Sequence, residues 1–321
     1  MAGTSTDFWV TLSTVNLDAP LDLGLTLAPL RRGPRDPCMS VTAREVLRAT
    51  RTPLGPATMH VRRSSDAESL DVQAWGPGRD WIIDEMPSIV GALDDISGLA
   101  TQIEGASGPG AAVVRRLYKQ FRGLRIPRTM AVSETLVPVI LEQKVASTEA
   151  HRSYRQLVMA LGEPAPGPPE LISTLMVPPS ARLLYSTPYW KFHQFGVERK
   201  RAEVIRLACS YSGRLERLVD LAPAEVRERL TALDGIGPWS AAEVALVALG
   251  DADAVSLGDF HLPHNVAWAL TGERRGDDET MLRLLEPYRG HRGRVTRIIE
   301  AGVGGPPRRG PRMAVRSIRD R

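Results

Sequence analysis

Residues 233–241 read Leu-Asp-Gly-Ile-Gly-Pro-Trp-Ser-Ala, two glycines one residue apart, lying between two apolar-periodic segments. Glycine admits backbone conformations closed to other residues and lets a ligand come close to the main chain. A helix starting here presents first amides that have no intrahelical partner and sit at the positive end of the helix dipole, a natural seat for a phosphate oxygen. Ile236 between the glycines would anchor the turn in a core. Such a contact would position a nucleic acid backbone without reading bases. The plainer alternative is an ordinary helix C-cap at Gly235 and a turn residue at Gly237.

Asp259 follows Gly237 by 22 residues, room for one helix and the loop VSLGDFHLP. It stands at the start of a further helix, where a carboxylate either caps the helix by accepting a backbone hydrogen bond or serves as a fixed charge for chemistry. Other groupings offer less. His261 and His264 are interrupted by Pro263 and have no third ligand nearby, so no metal site is expected. The GASGPG stretch lacks the Lys-Ser/Thr ending of a nucleotide-binding loop. Cys38 and Cys209 are the two cysteines, which excludes a disulfide framework and any four-cysteine zinc or iron–sulfur site. They read as buried thiols in a reducing compartment, and no cofactor is expected.

The elements that must position these residues differ between the two parts of the chain. Segments 57–63 and 70–76 alternate apolar and polar residues at period two, placing Ala57, Met59 and Val61 on one face. That pattern predicts an antiparallel sheet with one covered face, and 81–91 is a helix to cover it, interrupted at Pro87. GASGPGAA (105–112) is the expected junction. Beyond it the period becomes helical. Leu136, Val139, Ile140 and Gln143 form one stripe, and Val204, Leu207, Ala208 and Tyr211 another. Helices are also predicted at 223–233, 239–249, 260–270, 278–286 and 289–301, with 163–170 too proline-rich to be helical. The fold class is therefore α+β, a strand-rich domain at 1–105, a helical domain at 111–301 and a basic tail at 302–321.

The 321 residues, 43% hydrophobic and 24% charged, suit a folded protein of about two domains. The net charge of +4 divides unevenly: residues 1–100 carry −4 and 101–321 carry +8, so an anionic partner should meet the second part. The tail holds six arginines and one acidic residue. No apolar run approaches the ~20 residues of a bilayer span, and the N-terminus lacks the pattern of a signal peptide. A soluble, cytoplasmic protein with no membrane partner is expected.

Ile140-Leu141-x-Gln143-x-Val145, the hairpin LDGIGPWSA and Gly258-Asp259-Phe260-x-Leu262 together resemble the helix-hairpin-helix DNA glycosylase superfamily, and within it the DNA-3-methyladenine glycosylase II branch. The likeness spans roughly 110–301, and the strand-rich start matches that branch's N-terminal domain. It implies a base-excision-repair enzyme acting as a monomer on double-stranded DNA with a damaged base, associated with the nucleoid. It implies that Gly235, Ile236, Gly237 and Ser240 hold the DNA backbone and that Asp259 is the catalytic carboxylate. A fixed carboxylate stabilises the positive charge that grows on the sugar C1′ as the glycosidic bond breaks, and orients water. The target base must first be flipped out of the duplex.

Superfamily members that also cut the strand carry a lysine where this chain has Trp239, whose amine would attack C1′. The lysines here are Lys119, Lys144, Lys191 and Lys200, which implies a monofunctional enzyme that uses water and leaves an abasic site. Trp239 would then wall an aromatic pocket for electron-deficient bases; core packing is the alternative. Phe260, Tyr288 and Trp190 are further pocket candidates. Gln143 needs a partner or a cavity, and the wedge that fills the gap in the duplex is Lys144, Gln143 or a loop residue. The competing functions are a non-catalytic hairpin DNA-binding protein and a glycosylase for uracil, hypoxanthine or an oxidised base.

Overall fold

The computed structural model describes residues 10–65 and 67–307. The arginines of the tail lie at 308–321, outside the described residues. Five antiparallel strands open the chain, β1 (Val10–Asn16), β2 (Met39–Val41), β3 (Glu45–Thr52), β4 (Gly55–Arg63) and β5 (Ser69–Trp75), in the order β1-β5-β4-β3-β2. Helices follow from Arg79 onward, so the fold is α+β.

Register explains the first core. Val61 pairs with Val46 on one side and Val72 on the other, which puts these three with Ala57 and Met59 on one face. The helix Arg79–Ile89 covers that face through Ile82, Met86 and Ile89, all buried. Pro87 does not interrupt this helix as expected. It sits in the last turn, where its missing N–H costs a single bond near the helix end.

The expectation of one covered face also needs correction. Leu47 and Ala49 on the other face pack against Ala165, Ile172 and Val177. The proline-rich segment provides this second cover: Glu163–Pro164 pairs with Met176–Val177, and Pro169 opens a short helical turn to Ile172. Proline is tolerated there because the first helical residue needs no amide.

Three contacts tie the first hundred residues to the later helices. Glu134 of the helix Val132–Glu142 accepts from Arg48 Nη2 at 2.7 Å, Thr50 Oγ1 at 2.8 Å and Arg51 N at 2.9 Å. Asp94 and Arg294 form a doubly bonded pair, Nη2 to Oδ1 at 2.7 Å, almost fully buried. Val247, near the end of the helix Pro238–Ala248, inserts into the core of the sheet. The helix that begins at the glycine hairpin is thus anchored at its far end in the other half of the molecule. Among the described residues no helix is long and apolar enough to cross a membrane. Both cysteines are free and buried, and burial pushes the Cys209 thiol up to about 12.

Candidate active site

The helices Pro223–Thr231 and Pro238–Ala248 flank the turn that holds the two glycines, and the glycines do different jobs. Gly235 has φ +86°, and a Cβ there would lie 2.3 Å from Val204 Cγ2. Backbone and packing both require glycine. Gly237 is extended, φ −95° and ψ 178°, a conformation open to any residue. A Cβ on it would meet nothing within 4 Å. What Gly237 provides is open access to the start of the helix, not a special turn. Ile236 points inward at 4% exposure and packs in the helical core.

Pro238 has no amide, and the first bond of the helix is Ala241 N to Gly237 O at 3.0 Å. Helix geometry therefore leaves the Trp239 and Ser240 amides directed out of the helix start. The Ser240 side chain is buried, with its hydroxyl oxygen accepting from Gln143 Nε2 at 2.9 Å. Gln143 also donates to Gly235 O at 2.9 Å. Gln143 lies just past the end of its helix rather than on the apolar stripe, and its partner is the hairpin itself. With Arg201 Nη1 donating to Leu141 O at 2.7 Å, the end of this helix is fixed from two sides.

Asp259 spends its two oxygens separately. Oδ1 accepts from His261 N at 2.7 Å and Leu262 N at 2.8 Å, capping the helix Leu262–Thr271. Oδ2 accepts from Trp239 Nε1 at 3.0 Å. A carboxylate offers about four acceptor positions, so three contacts fix its plane and leave room on Oδ2 for one more. Capping and chemistry are compatible readings of this residue, because the cap is what holds the carboxylate still. Just before it, Gly258 N donates to Asp278 Oδ2 at 2.8 Å, steadying the loop from the other side.

The chain matches no protein-family model. Over 151 residues it is 30% identical to a probable bifunctional transcriptional activator and DNA repair enzyme, AlkA, of Mycobacterium tuberculosis. That stretch is 46% of this chain and 29% of the relative, so the match spans less than a third of the curated relative's length. Among solved structures, a 3-methyladenine DNA glycosylase from Archaeoglobus fulgidus superposes with TM-score 0.73 at 18% identity, covering 90% of this chain and 97% of that one. An 8-oxoguanine glycosylase/lyase from Clostridium acetobutylicum superposes with TM-score 0.60 at 12% identity, covering 82% and 98%. The chain has the helix-hairpin-helix DNA glycosylase fold.

Within this glycosylase fold the four aromatic candidates differ in their relation to Asp259. Trp239 reaches it, but through the indole N–H rather than a ring face. Phe260 is next in the chain and 80% exposed, edge-on to His261 with centroids 4.9 Å apart. Tyr288 is 2% exposed and packs in the helical core. Trp190 is exposed on the short helix Tyr189–His193. Among the described residues no hydrogen bond or ring contact joins Tyr288 or Trp190 to Asp259. Lys144, exposed beside Gln143, holds a left-handed conformation at φ +56°. Such a backbone is uncommon for a side chain other than Gly, Asn or Asp.

Sequence reasoning passed over Glu243. The signal was present, since Glu243 is the one charged residue in the helix Pro238–Ala248 and most of that helix is buried. Its carboxyl accepts from the Ser256 hydroxyl. Burial pushes the Glu243 carboxyl above the usual range, opposed by Ser256 and Arg297 and reinforced by Glu300 and Glu142. Glu300 is likewise raised by burial, with Arg297 lowering it and Asp259 raising it.

Proposed function

We propose that this chain is a DNA glycosylase of base excision repair that binds a damaged duplex, flips out an alkylated purine of the 3-methyladenine type and hydrolyses its N-glycosidic bond. The observation that carries the reading is Asp259, held in one plane by two backbone amides and the Trp239 indole, on the loop facing the helix that begins at the open glycine hairpin. The Trp239 and Ser240 amides receive a phosphate oxygen and fix the backbone register. Gln143 keeps that hairpin in shape rather than contacting the base. Lys144, exposed and next in the chain to Gln143, fills the space the flipped base leaves.

As the bond to the base breaks, positive charge grows on C1′. A preoriented carboxylate lowers the energy of that charge most where water is excluded. The remaining acceptor position on Asp259 Oδ2 directs water onto C1′. An alkylated purine already carries positive charge and leaves without a proton from the protein. Trp239 has no nucleophilic amine, so the product is an uncut abasic site. Fold neighbours include a glycosylase/lyase, and the fold alone is therefore neutral between the two reaction types.

Asp259→Asn is the direct test. It keeps an oxygen for the helix cap and removes the charge, so base release from alkylated DNA should fall about a hundred- to a thousandfold, the range of removing one electrostatic stabiliser, while salt-sensitive duplex binding persists. Equal release by the variant would leave a non-catalytic DNA-binding protein as the better reading. A borohydride-trapped adduct that disappears in Lys144→Gln would replace the water mechanism by an amine one.

A further inference from the structure

Two cross-links run side by side between the hairpin helix and the loop before Leu262. Trp239 reaches Asp259 at 3.0 Å. One helical turn further along, on the same face, Glu243 bonds the Ser256 hydroxyl. Ser256 and Asp259 are themselves joined, with Ser256 O accepting Asp259 N at 3.3 Å. Glu243 therefore lies on the site side of the helix, beneath the Trp239–Asp259 contact.

Arg297, the cation that faces it, is already engaged, its Nη1 lying 3.3 Å from Glu300 Oε2. Among the described residues no cation forms an ion pair with Glu243. A carboxyl placed in a largely buried helix with a hydroxyl for its partner is unfavourable as an ion, and residues so placed concentrate at functional sites.

We propose, resting on the glycosylase reading above, that Glu243 is a specificity-determining residue of the base site, favouring purines that carry a positive charge on the ring over neutral ones. The groups facing it are Ser256 on the loop, Arg297 and Glu300 on the helix Arg292–Gly302, and Glu142 from the helix Val132–Glu142. Three of the four charged neighbours, counting Asp259 beyond Glu300, are acids. An arriving cationic base supplies the missing positive charge, and any proton on Glu243 passes to water. The selection is thus by charge, where the sequence suggested aromatic rings.

The test compares single-turnover base release from duplexes of one sequence holding either 7-methylguanine, which is cationic, or hypoxanthine, which is neutral. In Glu243→Gln the ratio of the two rates should fall about tenfold or more, a change of about 1.4 kcal/mol in relative barrier. Glu243→Asp, which keeps the charge, should retain most of the preference. Because the ratio is taken on one preparation, loss of folded protein cancels. An unchanged ratio, or an equal fall for both bases, overturns the assignment while leaving the glycosylase reading intact. Failure of the unaltered protein to release either base removes that reading and this assignment with it.

Discussion

Oδ2 of Asp259 accepts the indole N–H of Trp239 at 3.0 Å, joining the first turn of the hairpin helix to the loop that presents the carboxylate. On the proposed function, a movement of the hairpin on binding DNA would be passed to that carboxylate. Trp239→Phe keeps the ring and loses the bond. A hydrogen bond to a charged group is worth about 1.5–3 kcal/mol, so single-turnover base release should fall about 10- to 100-fold. Duplex affinity should change little. An unaltered rate would show that the indole only packs.

The two hairpin glycines should respond oppositely to one added methyl. Gly235→Ala places a Cβ 2.3 Å from Val204 Cγ2 on a backbone of φ +86°. The conformation costs about 1–2 kcal/mol before the clash is counted. Thermal unfolding should show the loss. Gly237→Ala meets nothing within 4 Å, so its stability cost should stay near the roughly 1 kcal/mol of a poorer N-cap. Its methyl stands where a phosphate would approach, and duplex affinity measured by titration should fall. The idea fails if Gly237→Ala binds DNA normally.

Arg294 and Asp94 join the last helix to the segment after the sheet, and their side chains are 1% and 4% exposed. Asp94 Oδ2 also accepts Ile126 N at 3.0 Å. Arg294→Met leaves that carboxylate without its cation, which costs about 3–5 kcal/mol in a buried pair. Urea unfolding should locate the loss, and adding Asp94→Asn should recover part of it. A loss under about 1 kcal/mol would mean that water reaches the pair, as in exposed ion pairs.

Much of this architecture was legible because it rests on local periodicity. The alternation at 57–63 appears as β4, with Ala57, Met59 and Val61 all fully buried. The predicted helix at 278–286 appears as Asp278–Leu285. What the sequence concealed depends on contacts between distant segments. The second cover on the sheet comes from residues more than a hundred positions away, and no pattern in β3 announces it. Gln143 looked like a stray polar group on an apolar stripe, because its partners Gly235 and Ser240 lie more than 90 residues on. Aromatic residues were easy to nominate by type. Whether Tyr288 faces a cavity or the core depends on how neighbouring helices rotate about their axes, and composition does not encode that.

Glu243 also predicts how stability depends on pH. Burial raises its folded-state pKa above the ordinary 4.5. Below that value both folded and unfolded chains hold the proton, and the residue contributes no difference. As pH rises past 4.5 the unfolded chain releases its proton first, and the folded state loses ground by at most about 1.4 kcal/mol per pH unit until its own pKa is passed. Solvent at the half-buried side chain reduces that slope. Glu243→Gln does not titrate, so in urea unfolding it should gain on the unaltered protein as pH rises above about 4.5, measured against their difference near pH 4. The gain should accompany the lost preference for cationic bases, since the charge that destabilises the fold is the one that selects the base. A variant less stable at pH 7 than at pH 4, relative to the unaltered protein, would mean that the Glu243 ion is stabilised in place, contrary to the direction its burial imposes.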